Sequence, residues 1–181
     1  MVWNLFLSIT AAVTYFCFFV LQVKLMPDFD LLPKASIFFL PAGVKFLSVL
    51  LLRWWGLGGI VIGRILIQSY LGEQISLLHD TMEMLLWLVV PYLCLVGYMQ
   101  VKKIQPSLEN LTTYHVVVLS IIFSFTSSLG TQLLEFVSSY QIQVGLPRAI
   151  WAMTVGDFTG ILLILFLVAS INKMLGSRQR I

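Results

Sequence analysis

Five ionisable side chains lie inside stretches that are otherwise apolar, and they are the residues of this sequence best suited to binding chemistry. Two are basic and three are acidic: Lys45, Arg64, Glu83, Glu135 and Asp157. A charge near the centre of a bilayer costs at least about 2.5 to 3.5 kcal/mol, so such a residue normally faces a bundle interior or a wet cavity and has a partner. We therefore expect Lys45 to pair with Asp157 or with Glu83.

These buried charges have two interpretations, and the sequence leaves both open. In the first, the charges line a polar vestibule that opens outward and binds a ligand or a partner. In the second, they form structural ion pairs that fix the register of the helices and bind nothing. Glu135 lies close to the end of its segment, and we interpret it as a side chain that extends toward the lipid headgroups.

A polar stripe runs along the fifth apolar segment. Its members recur at three- and four-residue spacing: Ser120, Ser124, Ser128, Thr131 and Glu135. This spacing places them on one face of a helix. Such a stripe either lines a polar cavity or lets two helices approach and hydrogen-bond, and packing is the more frequent reason. We take Ser124 and Ser128 as candidate binding residues.

Small residues and prolines interrupt the apolar segments. Two glycine pairs have the four-residue spacing that lets helix backbones approach closely: Gly59 with Gly63, and Gly156 with Gly160. Pro41 and Gly43 stand near the start of another segment. A proline there frees backbone carbonyls, which neighbouring groups or water must then satisfy.

Membrane helices have to position these residues, because the composition excludes a soluble globule. Of the 181 residues, 59% are hydrophobic and only 10% are charged, which is too little polar surface to face water. Six segments are long enough to cross the hydrocarbon layer, at about 3–22, 35–52, 54–72, 81–100, 114–136 and 150–171. The connections are short. We therefore predict one all-α, polytopic membrane helix bundle at 1–174 and a short basic tail at 175–181.

The flanking charges predict that both termini lie in the cytoplasm. Cytoplasmic loops of membrane proteins carry an excess of lysine and arginine. With this orientation the inner face has Arg53, Lys102, Lys103, Lys173, Arg178 and Arg180, and the outer face has Lys24, Lys34 and Arg148. The net charge of +3 is too small and too dispersed to indicate nucleic-acid binding.

The sequence gives little support to an enzyme. His79 and His115 lie at segment edges. We interpret each as a histidine at the membrane interface whose ring has a hydrogen-bond partner. Cys17 and Cys94 stand in apolar runs at no metal or redox spacing, and no aspartates are paired at catalytic spacing. We expect no catalytic residues, no cofactor and no metal.

Two stretches occur in an order that is similar to a known family. The first, "FFLPAGVKFLSVLLLRWWGLGGIVIG", has a Pro-x-Gly turn and a Trp-x-Gly stretch, and the second, "IWAMTVGDFTGILLILFL", has a Trp, Gly-Asp, Gly pattern. Together they resemble the first family of bacterial membrane-associated sensor domains, known as MASE, over about residues 35–170. The matching positions are Pro41, Gly43, Trp54 or Trp55, the glycines from 56 to 63, Trp151, Gly156, Asp157 and Gly160, with Glu83 at an acidic position between the motifs.

The resemblance implies a sensory or docking domain in the bacterial inner membrane. Members usually have about eight spanning helices and a fused output module, whereas six segments are predicted here, so a signal would pass to a separate protein. We expect a non-enzymatic module that binds a partner membrane or signalling protein, with a small ligand as an option. The candidate binding residues are Pro41, Gly43, Lys45, Arg64, Glu83, Ser124, Ser128, Trp151, Gly156, Asp157 and Gly160.

The alternative is a substrate-binding subunit of an energy-coupling-factor vitamin transporter. Such subunits are similar in length and often have six helices. Against this reading, the first segment lacks the alanine-x-x-x-alanine motif by which those subunits dock, since Ala11 and Ala12 are adjacent. A vitamin retained by the purified protein would favour the transporter subunit.

Overall fold

The computed structural model describes residues 2–25, 30–32, 35–36, 38–72, 77–137 and 145–178. The architecture is all-α, with helices α1 (Val2–Leu25), α2 (Leu40–Leu52), α3 (Trp54–Leu71), α4 (Leu77–Met84), α5 (Val90–Val101), α6 (Thr113–Val137) and α7 (Leu146–Arg178). A π-helical segment, Leu85–Val89, joins α4 directly to α5, so the described chain forms six helical rods. A small antiparallel hairpin precedes α2 and consists of β1 (Asp30–Leu32) and β2 (Ala35–Ser36).

Four of the rods in the described part of the chain are long and apolar enough to cross a bilayer. They are Val2–Leu25, His79–Val101, Thr113–Val137 and Leu146–Leu175. Helix α2 has only 13 residues, which is about 20 Å of helix against a hydrocarbon layer of about 30 Å. Helix α3 has 18 residues but includes Arg64 and Gln68, which make it less apolar. The chain therefore has the helices of a multi-pass membrane protein. The shorter α2 and the less apolar α3 depend on contacts with neighbouring helices to lie in the membrane.

Two of the predicted segments, the second and the sixth, differ most from the structure in their limits. Ala35 and Ser36 belong to β2, and the second helix begins only at Leu40, because a proline suits the first turn of a helix, where its missing N–H is not needed. Helix α7 extends beyond the predicted range at both ends and includes the start of the predicted tail. Lys34 and Arg180, used in the charge count, lie outside the described residues.

Helix α2 lies at the centre of the bundle and contacts α1, α3, α6 and α7. Nine of its 13 residues are buried, so protein encloses it on nearly all sides. The backbone at its start is satisfied by other helices. The N–H of Phe39 donates to the carbonyl oxygen of Gly156 at 3.0 Å, and the N–H of Leu40 donates to Oε1 of Gln22 at 2.8 Å. A helix that begins inside a membrane bundle requires such partners, since the bilayer core supplies no water.

Glycines allow the closest contacts between helices, as their spacing predicts. A Cβ atom on Gly59 or Gly63 would run into the backbone of α1, and one on Gly160 would overlap the carbonyl oxygen of Phe39. The first two positions therefore fix the contact between α3 and α1, and the third fixes the contact between α7 and the start of α2.

Contacts between the connections define one end of the bundle, which we call the Arg53 end. Nη2 of Arg53 donates to the carbonyl oxygen of Pro106 at 3.1 Å, and Oγ of Ser8 donates to that of Trp55 at 2.8 Å. The first part of α1, the turn between α2 and α3, and the connection from 102 to 112 therefore share this end. The β-hairpin lies at the opposite end, where α1 finishes and α2 begins.

Candidate functional site

The ammonium group of Lys45 lies inside the bundle and contacts α6 and α7. Its Nζ atom lies 3.9 Å from Oδ2 of Asp157 and donates to Oγ of Ser127 at 2.7 Å. The side chains of Lys45 and Asp157 are 0% and 2% exposed. The expected pairing of Lys45 with Asp157 is confirmed, and protein encloses the pair, so the predicted vestibule does not reach it in this structure.

Two aromatic rings complete the surroundings of this ammonium group. Nζ of Lys45 lies 4.2 Å from the centroid of the Trp87 ring and 5.3 Å from that of Phe123. A desolvated cation over an aromatic face gains about 2 kcal/mol. The rings also keep water away from the ion pair, and a water-poor environment strengthens the attraction between the two charges.

The π-helical segment contributes a backbone carbonyl to the same site. Pro91 has no N–H, so it cannot donate to the carbonyl of Trp87 four residues earlier, as an α-helix requires. The helix widens at this point, and the N–H of Val90 bonds to the carbonyl of Leu85. Oγ of Ser127 donates to the carbonyl oxygen of Trp87 at 3.1 Å. One hydroxyl therefore connects Lys45 to a carbonyl that a proline leaves free.

Three buried oxygens at this site have no hydrogen-bond partner among the residues that the structure describes. They are Oδ2 of Asp157 and the Oγ atoms of Ser124 and Ser128. Elsewhere on α6, Ser120 and Thr131 donate to the backbone carbonyl four residues earlier, the usual arrangement for a helical hydroxyl. The hydroxyls of Ser124 and Ser128 make no such bond, so they are available to another group.

The register of α6 against α7 brings two of these oxygens to the same level. Nε2 of Gln132 contacts Sδ of Met153 at 3.6 Å across the two helices, which run in opposite directions. One turn further along each helix, the same face presents Ser128 and Asp157. Ser124 follows one turn beyond. The unpartnered oxygens therefore share one side of the interface between α6 and α7.

A second ion pair lies beside the first. Nη2 of Arg64 lies 3.3 Å from Oε1 and 3.4 Å from Oε2 of Glu83, with side chains 23% and 22% exposed. The charge of Glu83 also acts on Lys45 and on the buried phenol of Tyr15. Four of the five predicted charges thus form one cluster. Glu135 is half-buried on α6, about two turns beyond Ser128.

The structure also uses residues that the sequence interpretation did not select. Ser127 binds Lys45, Trp87 and Phe123 surround it, and Gln22 caps α2. One signal was present in the sequence, because Pro91 stands four residues after Trp87 and predicts a free carbonyl there. Ser127 could not be distinguished in the sequence from the other hydroxyl residues close to it.

The groups at this site can pair charges and form hydrogen bonds. The site offers one cation, one carboxylate and several hydroxyls, which can hold a small polar molecule. No group of three histidine, cysteine or acidic side chains that could hold a metal ion occurs within the described ranges. Nδ1 of His115 lies 3.0 Å from the hydroxyl of Tyr98, which confirms the expected partner for this histidine.

The two stretches that carry the family resemblance meet in the structure. The turn containing Pro41 and Gly43 lies against the part of α7 that contains Gly156 and Gly160. Trp151 is 69% exposed on α7 and is not part of the cluster. Comparison of this chain with known protein families, curated proteins and solved structures finds no match.

Proposed function

We propose that this chain is a non-enzymatic, sensor-like module of the bacterial inner membrane that binds a small polar ligand between α6 and α7 and docks to a partner membrane or signalling protein. The observation that carries the proposal is the set of unpartnered, buried oxygens of Asp157, Ser124 and Ser128, of which Oδ2 of Asp157 lies 3.9 Å from Nζ of Lys45. A buried polar group without a partner costs about 1 to 3 kcal/mol. A ligand that donates hydrogen bonds removes this cost.

The contacts of Lys45 supply a route from ligand to partner. A donor that binds Asp157 competes with Lys45 for the same carboxylate. Lys45 is also bonded to Ser127, and Ser127 holds the free carbonyl of the π-helical segment. Ligand binding therefore biases how α2, α6 and this segment pack, and a population shift of this kind requires only a difference in affinity between two arrangements.

A partner protein would contact the sides of the helices, within the plane of the membrane. Large apolar side chains are exposed along α1 and α7, including Trp3, Phe6 and Phe166. The connections between helices are short, so a partner in the membrane meets helix faces first. Arg53, Lys102 and Lys103 lie at the Arg53 end of the bundle, which supports the cytoplasmic location of that end and of the N-terminus.

Native mass spectrometry of the gently extracted protein tests this function. We expect a bound small molecule on the wild type, retained by Ser120→Ala and lost from Ser128→Ala. Ser120 is the matched control, since it lies on the same helix, is fully buried and donates to its own backbone. Equal occupancy in both variants, or no bound molecule on a wild type that is still folded, would contradict the proposal.

The transporter-subunit alternative has less support from the helix contacts. Ala11 and Ala12 are buried and face Gly59 and Gly63 of α3. These alanines are therefore used within the chain and are not presented to another protein. If the bound molecule is a vitamin and no partner copurifies, the alternative is favoured instead.

A further inference from the structure

A pocket of about 320 Å³ lies at the Arg53 end, and none of the residues that line it belongs to the Lys45 site. Its residues come from the turn between α2 and α3, from α5 and from the connection that follows α5. The apolar part includes Leu50, Leu95 and Val96, and the mouth includes Arg53 and Gln100. The volume is in the lower part of the range found for small-molecule sites.

The aromatic wall of this pocket has the form found at a membrane interface. The rings of Trp54 and Tyr92 meet edge to face with centroids 4.9 Å apart. Trp54 is 63% exposed, whereas Tyr92 is only 3% exposed. Tryptophan and tyrosine concentrate where lipid headgroups meet the hydrocarbon layer. We therefore expect the pocket to open at headgroup depth in the membrane.

One basic residue lines the pocket, and two more are close to its lining residues along the chain. Arg53 is exposed and uses Nη2 to bond the carbonyl of Pro106. Lys102 and Lys103 are exposed and lie between the pocket residues Gln100 and Ile104 along the chain. Basic pockets between membrane helices at the cytoplasmic face bind anionic headgroups, because phosphate pairs with arginine and lysine.

The backbone of Arg53 has a strained conformation. Its φ and ψ angles are 54° and −123°, a region that favours glycine. Holding a non-glycine residue in such a region costs of order 1 to 3 kcal/mol, and such strain concentrates at ligand-binding positions. Glycine would make the turn between α2 and α3 more easily, so the contacts of the arginine side chain must offset the strain; they are the bond to the carbonyl of Pro106 and a place in the lining of the pocket.

We propose that this pocket binds an anionic phospholipid. The headgroup phosphate pairs with Arg53 and the adjacent lysines, and an acyl chain enters the apolar part beside Leu95. This site is independent of the function proposed for the Lys45 cluster. A free phosphate shares the headgroup chemistry but leaves the apolar part of the pocket without a ligand.

The test uses the full chain in nanodiscs with equal amounts of phosphatidylglycerol and phosphatidylcholine, followed by native mass spectrometry of the released protein. The wild type should retain phosphatidylglycerol over phosphatidylcholine by about fivefold or more. This ratio corresponds to at least about one contact between a basic residue and the headgroup. Arg53→Gly should lower this preference to about one. Its melting temperature in pure phosphatidylcholine should stay close to that of the wild type, because the strain that glycine relieves offsets the lost bond to the carbonyl of Pro106.

Two further variants keep the result interpretable. Arg53→Asn tolerates a positive φ and also removes the charge, so it replaces Arg53→Gly if that variant folds poorly. Arg148→Gln makes the same change of charge at an exposed position on the hairpin end and should keep the full preference. Inorganic phosphate added in excess should displace no lipid. Equal retention of both lipids by the wild type, unchanged preference in both Arg53 variants, or displacement by phosphate would overturn the proposal.

Discussion

Lys45 and Asp157 form an ion pair in the core of the bundle, with Nζ 3.9 Å from Oδ2 and neither side chain more than 2% exposed. The distance is longer than a hydrogen bond, and Oδ2 of Asp157 has no hydrogen-bond partner among the described residues. The pair joins α2 to α7 where their backbones also meet, through Phe39 and Gly156. It therefore holds the helices together while leaving an acceptor available.

The first prediction concerns the stability of variants that break this pair. Lys45→Leu and Asp157→Asn should each lower the free energy of unfolding in detergent by about 3 kcal/mol, because a buried charge that loses its partner is strongly destabilising. The double variant, Lys45→Leu with Asp157→Asn, should recover most of the loss. Thermal unfolding followed by circular dichroism measures all four proteins. Losses that simply add in the double variant would show that the two charges do not interact.

The second prediction tests the connection between Ser127 and the π-helical segment. Ser127→Ala removes the donor to the carbonyl of Trp87 and should lower stability by about 1 to 3 kcal/mol, the cost of a buried acceptor left unpaired. In a Pro91→Ala background the same change should cost less, because the introduced alanine supplies the N–H that proline lacks. Ser120→Ala is the control. If Ser127→Ala lowers stability equally in both backgrounds, Pro91 does not leave the carbonyl of Trp87 without its donor.

The third prediction concerns the contact between α7 and the start of α2. Gly160→Ala places a methyl group against the carbonyl oxygen of Phe39, and we expect a loss of about 1 to 3 kcal/mol from overpacking. Gly97→Ala is the matched control, since a Cβ there meets nothing within 4 Å. It should be neutral or slightly stabilising, because alanine favours a helix over glycine. Similar melting temperatures for the two variants would mean that the helices do not approach this closely.

The fourth prediction concerns orientation in the membrane. Single cysteines are placed at Gly72 and at Ser107 in a chain whose Cys17 and Cys94 are replaced by alanine. A maleimide that cannot cross membranes should label the cysteine from Gly72→Cys in intact cells, and should label that from Ser107→Cys only after the cells are opened, because basic residues gather at the Arg53 end. The opposite pattern of labelling would reverse the proposed topology.

Much of the helical fold was predictable, because long apolar runs and their charged ends are local features of a sequence. The third segment, 54–72, matches α3 (Trp54–Leu71) to within one residue. The second segment was placed too early, since Ala35 and Ser36 are apolar or small and do not distinguish a strand from a helix. Pro41, six residues further on, was the better marker of the helix start.

The candidate site was predictable in its charges and much less so in its neutral residues. Lys45 and Asp157 stand out because ionisable residues are rare and costly in apolar segments. Ser127 and Trp87 do not stand out, since serine and tryptophan are common in membrane helices and their roles depend on helix rotation. That rotation is set by packing between helices, such as the contact of Gln132 with Met153.

The central claim is that the Lys45–Asp157 pair is needed to bind the small ligand and the partner protein, and does more than fix helix register. Native mass spectrometry of the double variant Lys45→Leu with Asp157→Asn tests it directly, because removing both charges together leaves neither of them buried without its partner. We predict a stable, inserted protein that has lost both the bound small molecule and the copurifying partner. A stable double variant that retains every species bound to the wild type would contradict the claim and leave the pair a structural role only.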